Sequence, residues 1–237
     1  VPAWPDLGPQ VLRQESKIMT DALPESSVTE AVRSLEVRWI VPGPLEPAVA
    51  GWFGRFPTVT ESRRDIYLLN PDLRGLSVKV RAGRALEVKV YHGGPGILDV
   101  PGRARGHMQS WQKWSFPFGP SRYGCGSLGD WLPVDKMRHI SRFALAGGHI
   151  VPVGRGQDAG AGCTAELTEV YADGEAWWSL GYEATGPAGL LRRELEATAA
   201  LVFAQALPEG VELPADDSRS FAEWLSLQPA TRGSRRG

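Results

Sequence analysis

No run of 18 apolar residues occurs anywhere in the 237-residue sequence, which argues against a transmembrane helix and against a membrane partner. The opening VPAWPDLGPQ has neither a basic start nor an apolar core, so no signal peptide is expected. Cysteine is scarce. Cys125 and Cys163 do not make a disulfide framework, and a reducing, cytoplasmic compartment is expected. The four histidines, His92, His107, His139 and His149, show no metal-ligand spacing, and no His-Glu-x-x-His occurs. Charge of one sign is not in excess: 26 basic against 27 acidic residues leave a formal net charge of −1. A general nucleic-acid binder shows a clear positive excess, so no nucleic-acid partner is expected, and strong anion binding must come from local clustering of cations. Gly93-Gly94-Pro95-Gly96 lacks the Gly-Lys-Ser/Thr ending of a phosphate-binding loop.

What the chain does have is alternation. Leu35 to Ile40 puts Glu36 and Arg38 on one face and Leu35, Val37 and Trp39 on the other, the period of a half-buried strand. Ser62 to Leu69 reads as a second strand. Leu76 to Arg81 and Leu86 to Tyr91 flank the turn Ala82-Gly83-Arg84 and predict a hairpin. One hairpin face carries Val78, Val80, Leu86, Val88 and Val90; the other carries Ser77, Lys79, Arg81, Glu87, Lys89 and Tyr91. The interval from Gly93 to Gly106 reads as a loop. Met108 to Phe118 predicts a strand with Trp111, Lys113 and Ser115 on one face, and Asp135 to Leu145 a strand with Arg138 and Arg142 on one face. An irregular stretch, Gly119 to Pro133, separates these two, and a further loop runs to Gly162. Cys163 to Tyr171 and Glu175 to Thr185 form a second predicted hairpin, with Glu166 and Thr168 sharing a face on its first strand.

Helices are few. Leu45 to Arg55 reads as a short one with Val49, Trp52 and Phe53 on its apolar face. A longer one opens at Pro187 and runs to about Gln205, with a packing stripe of Leu191, Leu195, Thr198 and Val202. A short helical piece falls near Phe221 to Leu225. No internal domain break is visible: residues 1–33 read as an arm, 34–207 as one domain, and 208–237 as an extension with a disordered basic tail.

Charged residues on a strand face ordinarily point into water and need no function. Here the pattern recurs around Arg38, Lys79, Lys89, Arg138 with Arg142, and Glu166 with Glu183, and large aromatics share some of these faces. A closed antiparallel barrel with a polar lumen, its apolar outer face covered by helices, accounts for all of it. Cations lining such a lumen would attract a polyanion. Trp111, Trp114, Trp177 and Trp178 alternate faces, so that some of them are candidates for stacking on the organic part of a nucleotide or thiamine-like phosphate, and Tyr91, on a charged face, is a further substrate-binding candidate. Cys163 reads as a buried, inert thiol rather than a nucleophile, since no His–Asp arrangement accompanies it.

The order of these elements over about residues 34 to 205 resembles the CYTH, or triphosphate-tunnel, superfamily, which includes thiamine triphosphatases, inorganic triphosphatases and class IV adenylate cyclases. The resemblance is carried by Leu35-Glu36-Val37-Arg38-Trp39, Arg64-Asp65-Ile66-Tyr67-Leu68, the hairpin from Leu76 to Lys89, Ala165 to Val170, and Ser179 to Ala184 followed by a helix. It implies an eight-stranded antiparallel tunnel with flanking helices, Mg²⁺ or Mn²⁺, and hydrolysis of a triphosphate or organic polyphosphate. It implies catalytic roles for Lys79, Arg81, Lys89 and Arg142, substrate-binding roles for Arg38, Lys113, Arg138, Tyr91, Trp111 and Trp177, and metal-binding roles for Glu36, Glu166 and Glu183. The first-strand signature of the family, Glu-x-Glu-x-Lys, is altered: Glu36 holds the first acidic position, Arg38 stands at the second and Ile40 at the final Lys. Thr168 stands where a second late acid is usual. A tunnel that binds a phosphorylated or other anionic small molecule without turnover is the alternative expectation.

Overall fold

The computed structural model describes residues 31–69, 72, 74–117, 131–154 and 161–228. Nine strands are present among them: β1 (Val32–Pro42), β2 (Val59–Leu68), β3 (Leu76–Arg81), β4 (Ala85–Val100), β5 (Ala104–Pro117), β6 (Trp131–Ala146), β7 (His149–Val153), β8 (Gly162–Ala172) and β9 (Glu175–Thr185). Three helices accompany them: α1 (Pro47–Phe53), α2 (Leu191–Val202) and α3 (Phe221–Ser226). The sheet runs β2-β3-β4-β5-β1-β9-β8-β6-β7, every pair antiparallel, and β2 also pairs with β6. That last pairing closes eight strands into a barrel, with β7 as one extra strand on β6.

Local chemistry explains the hairpins. The three-residue loop Ala82-Gly83-Arg84 opens with positive φ at Ala82 and Gly83 (48° and 67°), and the two-residue turn Asp173-Gly174 has positive φ at both positions (49° and 83°). Such turns match the right-handed twist of the flanking strands. The stretch after Tyr91 departs from expectation: Gly93 to Val100 is strand, not loop. It stays paired to β5 through register shifts between Tyr91, Gly93 and Gly96. Gly93 (φ 122°) and Gly96 (φ 128°) absorb the extra residues as bulges, so a glycine cluster that reads as a breaker lengthens the hairpin instead. Two further corrections follow the same logic. β6 begins at Trp131, inside the stretch expected to be irregular, because its first residues pair with β2; β7 lies in what reads as a loop. The helix expected from Pro187 starts at Leu191, after a turn in which Leu190 N–H donates to the Pro187 carbonyl. Of the arm expected over 1–33, residues 1–30 lie outside the described residues, as do Cys125 with most of the irregular interval and the basic tail 231–237; the end of that arm is strand instead, because β1 begins at Val32 and pairs with β5.

The main apolar core lies outside the barrel. Leu35, Val37 and Trp39 of β1, Leu167 of β8 and Leu180, Tyr182 and Ala184 of β9 meet Leu191, Leu195, Ala199 and Val202 of α2, with α1 at the margin through Val49, Trp52 and Phe53. The stripe read on α2 is thus the packing face. α2 does not cover every apolar wall: Val78, Val80 and Val90 on β3 and β4 stay half-buried. A second cluster fills one end of the barrel interior. Ile40, Tyr67, Leu132, Val134, Val170 and Ala172 pack there against Trp224 and Leu225 of α3, with Phe221 and Trp177 beside them. α3 is anchored by a capping box in which Ser220 and Glu223 exchange side-chain and backbone hydrogen bonds. No described helix is long and apolar enough to cross a membrane.

Because α2 packs on the outer wall, its core can be weakened without touching the lumen. Leu195 is fully buried. Leu195→Ala should cost about 3 kcal/mol of unfolding free energy in a urea titration, while leaving anion affinity in the lumen unchanged. An equal loss of affinity would show that the two faces of the wall are not separable.

Candidate functional site

Inward-facing residues from all eight barrel strands line a cavity of about 280 Å³. At its inner end it meets Ser220, Phe221 and Ala222, so α3 makes the barrel a blind pocket rather than an open tunnel. Nine cations line it: Arg38 of β1, Arg63 of β2, Lys79 and Arg81 of β3, Lys89 of β4, Lys113 of β5, and Lys136, Arg138 and Arg142 of β6. Five carboxylates do so as well: Glu36, Glu61, Glu87, Glu166 and Glu183; with Asp65 behind them in the wall, six carboxylates offset the nine cations and leave a formal excess of three positive charges. Strand alternation places them. β1, for example, turns Glu36 and Arg38 inward while Leu35, Val37 and Trp39 pack outward.

Deepest in the wall lies Asp65, with no exposed surface. Lys79 (3.2 Å), Arg63 (3.2 Å) and Lys136 (3.8 Å) converge on it. Burial pushes the Asp65 carboxyl up, but Lys79, Lys136 and Arg63 outweigh it and hold the group at about 2. Lys79 also meets Glu87 at 3.2 Å, and Arg81 meets it at 2.9 Å. Burial raises Glu87 too, and Lys79 and Arg81 bring it down to about 2. Lys136 donates to Tyr67 Oη at 2.7 Å and sits 3.6 Å from the centroid of the Phe221 ring. Burial, reinforced by Lys79, pushes the Lys136 ammonium well down despite Asp65.

Above this lies Glu166, whose Oε1 accepts from Thr168 Oγ1 at 2.7 Å and lies 3.5 Å from Arg38 Nη1. Its Oε2 accepts from Arg138, which also donates to Glu61. Burial would raise Glu166, yet Arg38 and Arg138 hold it well below the usual carboxylate range. Glu36 and Glu183 are direct partners across β1 and β9, and both engage Lys89 Nζ, Glu183 at 3.4 Å. Lys89 lowers Glu183 to about 2 against the effect of burial. Burial opposes the charge on Lys89, but Glu183 and Glu36 raise it overall. Lys113 and Arg142 differ from the rest: among the described residues neither side chain has an ion-pair or hydrogen-bond partner, although Lys113 helps lower Glu87 and Glu183 through space, and their strands, β5 and β6, stand opposite one another around the eight-stranded ring.

Of the residues given catalytic, substrate-binding or metal-binding roles from the sequence, eleven meet in this cavity: Glu36, Arg38, Lys79, Arg81, Lys89, Trp111, Lys113, Arg138, Arg142, Glu166 and Glu183. Two do not line it. Trp177 faces the barrel interior, but at the plugged end, where its ring packs edge-on against Trp224 at 5.7 Å. Tyr91 is 40% exposed and leans on Trp111 at 5.3 Å, because the bulge after it carries β4 away from the lumen. Sequence reasoning missed Glu61, Arg63, Asp65 and Lys136. Their signal was present: Glu61, Arg63, Asp65 and Tyr67 occupy alternate positions of β2, and Lys136 is two residues before Arg138. Nothing local marks Phe221 as cavity-lining. Cys163 is buried in the outer core, and burial pushes its thiol up to about 12, consistent with an inert side chain.

The residues present do not fit a divalent cation. Such an ion would need carboxylate oxygens free to converge on it. Both oxygens of Glu166 are taken by Arg38, Arg138 and Thr168, and the point where Glu36 and Glu183 converge holds the Lys89 ammonium. Among the described residues, no three of His, Cys, Asp and Glu come together as a ligand set.

No family model matches the chain, and no curated protein does. Solved structures do. A conserved hypothetical protein from Pyrococcus furiosus is similar at 14% identity and a TM-score of 0.42, covering 79% of this chain and 98% of that one. The S. pombe Pct1 RNA triphosphatase is similar at 11% identity and a TM-score of 0.37. In its complex with the Spt5 CTD the match covers 75% of this chain and 80% of that one. Alone, it covers 74% and 79%.

Depressed carboxyls link the network to acid stability. Asp65, Glu87 and Glu183 stand at about 2 in the folded chain, against about 4 when unfolded. Their contribution is therefore complete above the unfolded value and is lost as the pH falls towards about 2. Urea unfolding at a series of pH values should show a steep loss of stability between about pH 5 and pH 2. Asp65→Asn leaves three cations facing one another and should cost about 3 kcal/mol at neutral pH, with a shallower acid limb. An unchanged acid limb would count against Asp65 as the centre of the network.

Proposed function

We propose that the cavity takes up the phosphate chain of a small polyphosphorylated anion, a triphosphate or an organic polyphosphate, through the mouth opposite α3. The observation that carries this reading is the formal excess of three positive charges within a walled, blind pocket. A phosphate monoester, at about −2, leaves part of that excess uncompensated, whereas a chain of phosphates neutralises it with several short, charge-assisted hydrogen bonds. Lys113 and Arg142 are the first donors offered to such a guest, since no protein partner has to be displaced from them.

Hydrolysis of the bound anhydride is the second reading. It is favoured by the placement of Lys113 and Arg142 on opposite strands, where they would draw charge from both the transferred phosphoryl group and the leaving oxygen. No nucleophilic side chain is required for such a reaction, because its catalysis is largely positioning and charge stabilisation.

Titration calorimetry with tripolyphosphate, paired with a phosphate-release screen over nucleoside, thiamine and inorganic triphosphates in the presence and absence of Mg²⁺ or Mn²⁺, tests both readings. Tripolyphosphate should bind more tightly than orthophosphate. Lys113→Ala and Arg142→Ala should each weaken it about tenfold, the loss of one hydrogen bond to a charged group. Release of phosphate establishes turnover, and binding without release leaves a binding protein. Failure of tripolyphosphate to bind would overturn the proposal.

A further inference from the structure

The inward face of β1 places Arg38 directly across from Gly181 of β9. Its guanidinium lies in a socket built for it. A Cβ at position 181 would stand 2.8 Å from Arg38 Cζ and 3.0 Å from each terminal nitrogen, so any larger residue there would make the planar group shift from this position. The Phe221 ring of α3 is 4.9 Å from Arg38 Cζ, a cation–π contact. Nη1 donates to Ser179 Oγ at 3.2 Å and lies 3.5 Å from Glu166. Its own strand β1, the neighbouring β9 and β8, and the plug helix thus hold this one cation, and Nε and Nη2 have no hydrogen-bond partner among the described residues. Arg38 lines the cavity, at 13% side-chain exposure.

Around it, each of the five carboxylates lining the cavity is already matched to a protein cation: Glu36 and Glu183 to Lys89, Glu61 and Glu166 to Arg138, and Glu87 to Lys79 and Arg81. A divalent ion would have to displace Lys89 from Glu36 and Glu183, or Arg38 and Arg138 from Glu166. The displaced charge would then remain in the wall a few ångströms from the new one. Repulsion at that distance in a partly desolvated cavity is severe. A guanidinium needs no such exchange, and its planar fork matches phosphate oxygens directly.

We propose that Arg38, seated by Gly181, Ser179, Glu166 and Phe221, is the resident cation of the cavity in place of a divalent metal, so that the polyphosphate is bound as the metal-free anion. This rests on the polyphosphate reading and makes it more specific: charge neutralisation is supplied by the chain itself.

The test uses two measurements on the full chain. Calorimetric titration of tripolyphosphate in excess EDTA and in excess Mg²⁺ should give binding at least as tight in EDTA. Electron paramagnetic resonance of Mn²⁺ added to the ligand-free protein should show the free-ion signal undiminished. Gly181→Ala, which crowds the guanidinium out of its socket, should weaken tripolyphosphate about tenfold without creating Mn²⁺ uptake. Arg38→Glu, which puts a carboxylate beside Glu166 and frees Glu166 from one cation, should bind Mn²⁺ and make tripolyphosphate binding depend on it. Circular dichroism melts establish that each variant is folded; if Arg38→Glu is not, the wild-type and Gly181→Ala measurements decide the matter. Wild-type affinity that rises tenfold or more with Mg²⁺, or stoichiometric Mn²⁺ uptake by the wild type that Glu36→Gln abolishes, would overturn the inference while leaving the polyphosphate reading intact. Absence of tripolyphosphate binding in both buffers would overturn both.

Discussion

Cations that face one another across a narrow lumen repel unless carboxylates lie between them, and that constraint organises the interior of this barrel. Asp65 is the centre of it, fully buried, with Lys79, Arg63 and Lys136 drawn in on three sides. Glu87, Glu166 and the Glu36–Glu183 pair repeat the arrangement further along. Buried ion pairs are weak evidence for stability, because desolvation consumes much of their attraction. An apolar interior would have been the simpler way to fill eight strands. A wall that keeps nine cations and leaves three of those charges uncompensated is better explained by what enters the cavity than by what holds the fold.

Stability comes instead from the other side of the same strands. Alternate residues of β1, β8 and β9 send Leu35, Val37, Leu167 and Leu180 outward to α2, which supplies the apolar core that the lumen lacks. The two faces are linked by the period of two, since a one-residue slip in register would put the charges under α2 and the leucines in the lumen. α3 adds a third layer. Phe221 and Trp224 close one end, and the Phe221 ring touches both Lys136 and Arg38. The plug is therefore part of the electrostatic site: it sets how deep a guest can go and helps hold the cation that guest would meet.

Much of this was legible without coordinates. The hairpins, the charged face of Lys79, Arg81, Glu87 and Lys89, and the packing stripe of α2 are local patterns, read from neighbours two or three residues apart. Glu61, Arg63, Asp65 and Lys136 could have been read the same way, because they too obey the alternation. Tyr91 and Trp177 were misplaced for different reasons. A glycine bulge, whose geometry depends on the partner strand, carries the first out of the lumen. The second faces inward but at a level that α3 occupies.

The amino-acid order alone decided which side chains share a face, because strand geometry repeats every two residues whatever the surroundings. It could not decide which face turns inward at a given height, which carboxylate neutralises which cation, or that Gly181 would leave a socket for Arg38. Those depend on register between strands that are distant in sequence, as with Arg38 and Gly181, or Glu61 and Arg138. The closing of the barrel by β2 and β6, and the return of residues 221–226 to one of its ends, create contacts that no local pattern encodes. Coulomb interactions are set by distance through space, so the charge balance of the cavity exists only once the strands have met.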